Sequence, residues 1–251
     1  MSKITLLDNP ISTTNSDTEV IMVLFATVWE QLMHLSPNHP NAAAEIRISF
    51  RHDVPRVLSG GNSTDGFDVH LAAKMRRWDQ YLYQFNHEAC HIFAQFLPNE
   101  GHCNQWFEES LCEAASIFFL RKVADLCREK RTLPHKRLVG NRYPAAFREY
   151  AEKMQNSPDR ICDGPRLQRW FSEYERVLRL SPYVRCLNGT VANRLLQLLE
   201  TEPSHWGAVA YLNSAPCASG KDSFSHYLEQ WREASPEKHR PFIDQVRLLF
   251  M

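Results

Sequence analysis

The apolar positions of this chain fall into blocks whose spacing switches between helical and strand-like. Ile21, Leu24, Phe25, Val28 and Leu32 recur at three- and four-residue intervals, one face of a helix. Ser16-Asp17-Thr18-Glu19 ahead of them has the form of a capping box, in which a serine and a glutamate three residues on satisfy free N–H groups. The pattern stops at Ser36-Pro37-Asn38-His39-Pro40. Glu45-Ile46-Arg47-Ile48-Ser49-Phe50 then alternates with the period of two that marks a half-buried strand. A loop at Gly60-Gly61-Asn62-Ser63 leads to a second alternating stretch, Phe67-Asp68-Val69-His70-Leu71, while residues 1–15 read as an irregular lead-in.

Helical spacing returns from Trp78 to Leu126, interrupted at Leu97-Pro98-Asn99-Glu100-Gly101. Tyr81 to Phe96 and Trp106 to Phe119 can each bury one side, so two antiparallel helices joined by a short polar loop are expected. A basic, proline-containing stretch from Arg128 to Arg142 reads as a solvated connector. Beyond it, helical patterns run over Pro144 to Gln155, Arg166 to Leu180, Thr190 to Glu200, Trp206 to Leu212, Phe224 to Ala234 and Pro241 to Phe250. The expected fold is α+β and mostly helical: a small N-terminal sheet packed on a two-helix core, then a helical C-terminal half. Residues 1–130 form the core in this division, and residues 131–251 a helical subdomain closing a cleft.

The chemistry sits in the middle of the first long helix, at His87-Glu88-Ala89-Cys90-His91. A helix turns about 100° per residue, so His87 and His91 lie one turn apart on one face and can hold a single metal ion. Glu88 flanks the pair without ligating and can take a proton from an attacking water. A third donor is available from the next helix, in Trp106-Phe107-Glu108-Glu109-Ser110-Leu111-Cys112-Glu113. Glu109 and Glu113 share a face, whereas Glu108 is turned about 100° from Glu109.

The motif followed by this Trp-led acidic helix resembles the gluzincin metallopeptidases, the group containing thermolysin and aminopeptidase N. The likeness covers about fifty residues, Trp78 to Leu126. It implies a Zn2+ cofactor held by His87, His91 and Glu109, with Glu88 as general base and Glu113 orienting a ligand histidine. It also implies hydrolysis of peptide bonds by a zinc-activated water. In such enzymes the strand before the motif helix borders the cleft, so Val69, His70, Leu71 and Ala72 are expected to line a groove for an extended peptide. Pro182-Tyr183, ahead of a helical stretch, resembles the Pro-Tyr-x-x-Gly start of the helix carrying the catalytic tyrosine in aminopeptidase N. Tyr183 is therefore the expected oxyanion donor, with His205, Tyr211 and His226 as rivals. The Gly-x-Met-Glu-Asn strand of aminopeptidases is not visible, so exopeptidase activity is not expected. His52, His70 and His102 are read as ordinary polar residues.

Composition narrows the field. Lys plus Arg equals Asp plus Glu at 29 each, so no global field favours nucleic acid or an anionic membrane. No apolar run is long enough for a membrane span, and Met1 to Pro10 lacks the apolar centre of a secretory signal. Seven scattered cysteines without a Cys-x-x-Cys pair suit a reducing, cytoplasmic setting, Cys90 and Cys112 reading as small packed hydrophobes. The expected partner is a peptide or protein substrate, with room for a regulatory protein. Two other classes fit two histidines and a carboxylate: a non-haem iron oxygenase, and a catalytically silent, metal-stabilised binding module.

Overall fold

Four short strands, Ile4–Leu6 (β1), Ile46–Phe50 (β2), Arg56–Ser59 (β3) and Phe67–Leu71 (β4), pair in the order β1-β2-β4-β3 in the computed structural model. Described are residues 3–8, 15–51, 53–59, 66–73, 77–96, 104–129, 142–157, 167–214 and 223–251. The expected loops at 60–63 and 97–101, most of the 128–142 connector, and His52 and His102 lie outside them. The architecture is α+β and mostly helical, as the spacing predicts, with the small sheet near the N-terminus and helices after it. No helix among the described residues is long and apolar enough to cross a membrane.

Contacts gather the chain into two compact units. One comprises Met1–Ile92 and Ala115–Asn156, the other Phe93–Ala114 and Ser157–Met251. The division at residue 130 suggested by composition is not the one these contacts draw. Arg142–Gln155 groups with the first unit, and the opening turns of the Gln105–Arg128 helix with the second.

In the first unit β1, β2 and β4 run parallel, and β3 returns antiparallel to β4. Asn15–Leu35 (α1) makes the crossover from β1 to β2, the helical connection that a parallel pair needs. Along β4, Phe67, Val69 and Leu71 are buried while Asp68 and His70 are half-buried, the alternation of a pleated strand. Arg47 stands opposite Asp68 in register and its Nε donates to Asp68 Oδ1 at 2.6 Å. Gly66 sets the start of β4 with φ +77°, a region open to glycine at little cost. A Cβ there would stand 2.4 Å from the Glu45 carbonyl oxygen.

Trp78–Phe93 (α2) is fixed from several sides within this unit. Phe85 stacks on Phe25 of α1 with ring centroids 4.3 Å apart. Tyr81 meets Phe50 of β2 edge to face. The Gln84 carboxamide oxygen accepts from the backbone N–H groups of Ala72 and Ala73 at 2.8 and 3.1 Å, tying the end of β4 to α2. Asn41 Nδ2 donates to the Ile92 carbonyl at 3.0 Å near the other end of the helix. Gln105–Arg128 (α3) is one continuous helix. Asn86 Nδ2 on α2 reaches its Ser116 carbonyl at 3.3 Å. Arg142–Gln155 (α4) joins through Tyr150 against Tyr83, and through Arg148 paired with Asp125 of α3.

The second unit is helical. Its elements are the start of α3, Leu167–Leu180 (α5), Arg185–Thr201 (α6), a 3-10 stretch Pro203–Tyr211, Phe224–Ala234 (α7), a short 3-10 turn and Arg240–Phe250 (α8). Trp106 and Phe107 of α3 sit in an aromatic cluster with Phe171, Phe224 and Phe250. Trp231 Nε1 donates to the Ala208 carbonyl at 2.8 Å, so this buried indole has its partner. Gln95 adopts φ 59°, and its side-chain amide donates to the Ala210 carbonyl and to Ser214 Oγ.

Candidate metal centre

The α2 segment that carries the motif is amphipathic in the expected sense. Tyr81, Leu82, Phe85, Ala89 and Ile92 are buried, and the two histidines project on another stripe. The rings of His87 and His91 approach edge to face with centroids 5.0 Å apart, as an i,i+4 pair should. His91 is buried and His87 half-buried. Glu88 is only 4% exposed, so its charge is largely removed from bulk water beside two potential ligands.

Cys112 of α3 completes the group. One ligand atom from each of His87, His91 and Cys112 lies within 4.8 Å of the other two. A tetrahedral zinc with nitrogen at about 2.0–2.1 Å and sulfur at about 2.3 Å sets its donors roughly 3.3–3.7 Å apart. The three atoms therefore need close in by only about an ångström to bind one ion, and two imidazoles with a thiol form a zinc-compatible donor set. The residues present fit a metal.

Glu109 is not part of this three-atom group. It is half-buried, three residues ahead of Cys112 on α3. Glu113, also buried, follows Cys112 directly. Glu108, in the second unit, is fully buried, and its Oε2 accepts from Asn213 Nδ2 at 2.8 Å. Asn213 Oδ1 in turn accepts from the Tyr227 hydroxyl at 3.2 Å. Glu108, turned away from Glu109 on the helix, thus has hydrogen-bond partners of its own in Asn213 and, through it, Tyr227.

The expected groove needs correction. β4 is paired on both sides, with β2 and with β3, so Val69, His70 and Leu71 belong to an interior strand. Val69 and Leu71 are fully buried, and the Ala72 N–H is held by Gln84. A peptide cannot add to a strand whose ladder is already filled. The edge on this side, among the described residues, is β3.

Tyr183 is 66% exposed, just ahead of α6. Its hydroxyl accepts from Gln105 Nε2 at 2.8 Å, which leaves the phenol proton uncommitted to that bond. Gln105, Glu109 and Cys112 are spaced i, i+4, i+7, so Tyr183 is anchored at the head of the α3 face that carries both third-donor candidates. The rivals differ. His205 stacks on Phe242 with centroids 4.7 Å apart, Tyr211 packs beside His239, and His226 is exposed in the first turn of α7. Burial first, then Lys238 and His205, lowers the pKa of His239.

Cys112 is the residue that sequence reasoning passed over. It reads as a small hydrophobe in a buried helix, and it is fully buried. The signal was its place three residues after Glu109, on the face already assigned to a third donor. Comparison with protein-family models, curated proteins and solved structures finds no match for this chain.

Proposed function

We propose that the protein is a metal-dependent peptidase, with zinc the expected metal and a peptide or protein as substrate. One observation carries the reading: His87, His91 and Cys112 converge within 4.8 Å beside the buried carboxylate of Glu88. When bound, the metal supplies Lewis acidity, polarising the scissile carbonyl and lowering the pKa of the attacking water. The two imidazoles hold it from α2, and the third donor comes from α3. Resemblance points there to Glu109, and proximity to Cys112.

Glu88 has the role of proton carrier. A carboxylate beside the two imidazoles is placed to take a proton from the attacking water and deliver it to the leaving amine. Tyr183 donates its phenol proton toward the oxyanion that develops on the carbonyl. An iron oxygenase built on two histidines and a carboxylate is less well supported, because a thiol rather than a carboxylate completes the group. A silent structural site has no use for Glu88. The free cysteines Cys90, Cys112, Cys127 and Cys186 suit a reducing compartment, and the cytoplasm remains our inference for where the protein works.

The test is incubation of the metal-loaded protein with a broad peptide library, with and without chelator, reading new termini by mass spectrometry. Cleavage that chelator abolishes is expected. Glu88→Gln should keep its metal and lose at least about 100-fold in turnover, the scale of general-base catalysis. Cleavage indifferent to chelator, or unchanged in Glu88→Gln, overturns the proposal.

A further inference from the structure

Resting on the metal-site reading above, we infer that the third protein ligand is the Cys112 thiolate and that Glu109 stays outside the first coordination sphere. The centre is then two imidazoles and one sulfur with an open position.

Cys112 belongs to the group that His87 and His91 form, and Glu109 does not. Glu109 lies three residues earlier on α3, about 4.5 Å from Cys112 along the axis at 1.5 Å per residue. A cysteine side chain is short, so its sulfur stays close to the level of its own residue. A glutamate must bend back along the helix to reach the same point.

The environment favours the thiolate once a metal is present. Cys112 has no exposed surface, so its sulfur faces only protein groups. A cation held by the two imidazoles would favour the thiolate, because a coordinating thiol gives up its proton outright. The proton leaves to solvent as the metal–sulfur bond forms, so binding is pH-dependent and no electron is exchanged. Sulfur also narrows the choice of metal to zinc and similarly soft or borderline ions, at the expense of magnesium, calcium and manganese. Cys90, one residue before His91 and also fully buried, is not in the group and serves as an internal control.

The experiment is cobalt substitution of the full-length protein, followed by absorption spectroscopy and metal analysis. Wild type should bind one equivalent of Co2+ and develop the near-ultraviolet thiolate-to-cobalt charge-transfer band. Cys112→Ser should lose that band and weaken metal binding by about 100-fold or more, above the 10–100-fold cost of disturbing a mere supporting residue. Glu109→Gln and Cys90→Ser should keep the band. The wild-type spectrum decides even if a variant fails to fold. One bound cobalt without a thiolate band, or a band that survives Cys112→Ser, overturns the assignment. If the band is absent while peptide cleavage persists and fails in Glu109→Gln, the ligand assignment falls and the hydrolase stands. If the band is present without cleavage, the reverse holds. A protein that binds no cobalt removes both.

Discussion

Gly66→Ala probes the hinge on which β4, and through it α2, is set. Two separate costs arise at this position. The backbone holds φ +77°, and an L-residue with a Cβ is about 1 kcal/mol or more worse than glycine there. The added methyl would also sit 2.4 Å from the Glu45 carbonyl oxygen, well inside the 3.0 Å that Cβ atoms essentially never breach. That oxygen cannot simply retreat. It accepts the Phe67 N–H at 2.8 Å, and Ile46, the next residue, is held in register between Ile4 and Phe67. Relief means giving up the first bond between β2 and β4, worth about 1 kcal/mol, and straining the adjoining pair by roughly as much. The expected loss is about 3 kcal/mol, a large share of the roughly 5–15 kcal/mol that holds a domain of ordinary stability. Urea unfolding followed by tryptophan fluorescence measures it as a lower midpoint with an unchanged slope. Gly66→Asn separates the terms, since asparagine tolerates positive φ but still carries a Cβ, so it should retain most of the loss. A change below about 1 kcal/mol for alanine, or a fully stable asparagine variant, would refute the argument.

The remaining predictions concern a buried phenol, the alkaline limb and the oxyanion. Tyr81 is almost fully buried and its hydroxyl has no partner among the described residues, so Tyr81→Phe should hold or raise stability by about 1 kcal/mol in a thermal melt at neutral pH; a loss of that size counts against it. Burial pushes Tyr81 up to about 12 and the Cys127 thiol up to about 11, both above their ordinary values. Raised folded-state values mean stability that is whole below the unfolded pKa and is lost as pH rises through the folded one. Melting temperature should therefore fall progressively above about pH 9, and Tyr81→Phe should soften the upper part of that fall. On the role proposed for Tyr183, Tyr183→Phe should lower kcat by about 10-fold or more while leaving metal content and KM largely unchanged, because a proton donor to an oxyanion acts in the transition state.

How much of this could be read from the residues depends on how far each feature reaches through space. α2 and its histidine pair were legible because a 3.6-residue period and an i,i+4 spacing are properties of one helix alone. β4 was equally plain, since Phe67, Val69 and Leu71 alternate over a full five residues. β1 and β3 were not. With three and four residues each, they show no usable alternation, and they are strands because β2 and β4 present unfilled ladders to them. The error about the groove follows from the same gap. Without β3 in view β4 looks like an edge, and with it β4 is enclosed. The division at residue 130 took its cue from a basic, proline-containing stretch, whereas the contact units follow the packing of α3 and α4.

The third donor marks where one-dimensional reading stops. Along α3 the sequence offers Glu108, Glu109, Cys112 and Glu113 within six positions, and rotation alone removes only Glu108. Choosing among the others requires the axial level of α3 against α2, which no pattern within either helix encodes. That level is set by the buried bond from Asn86 to the Ser116 carbonyl, together with the Gln84 and Asn41 bonds that fix where α2 begins and ends against the sheet. Asn86→Leu should therefore do more than remove a bond of about 1 kcal/mol. Freed to slide, α3 would lose the match between Cys112 and the histidine pair, and metal affinity would fall further than global stability does. Equal losses in the two would mean that Asn86 serves packing alone, and that the level of Cys112 is fixed elsewhere.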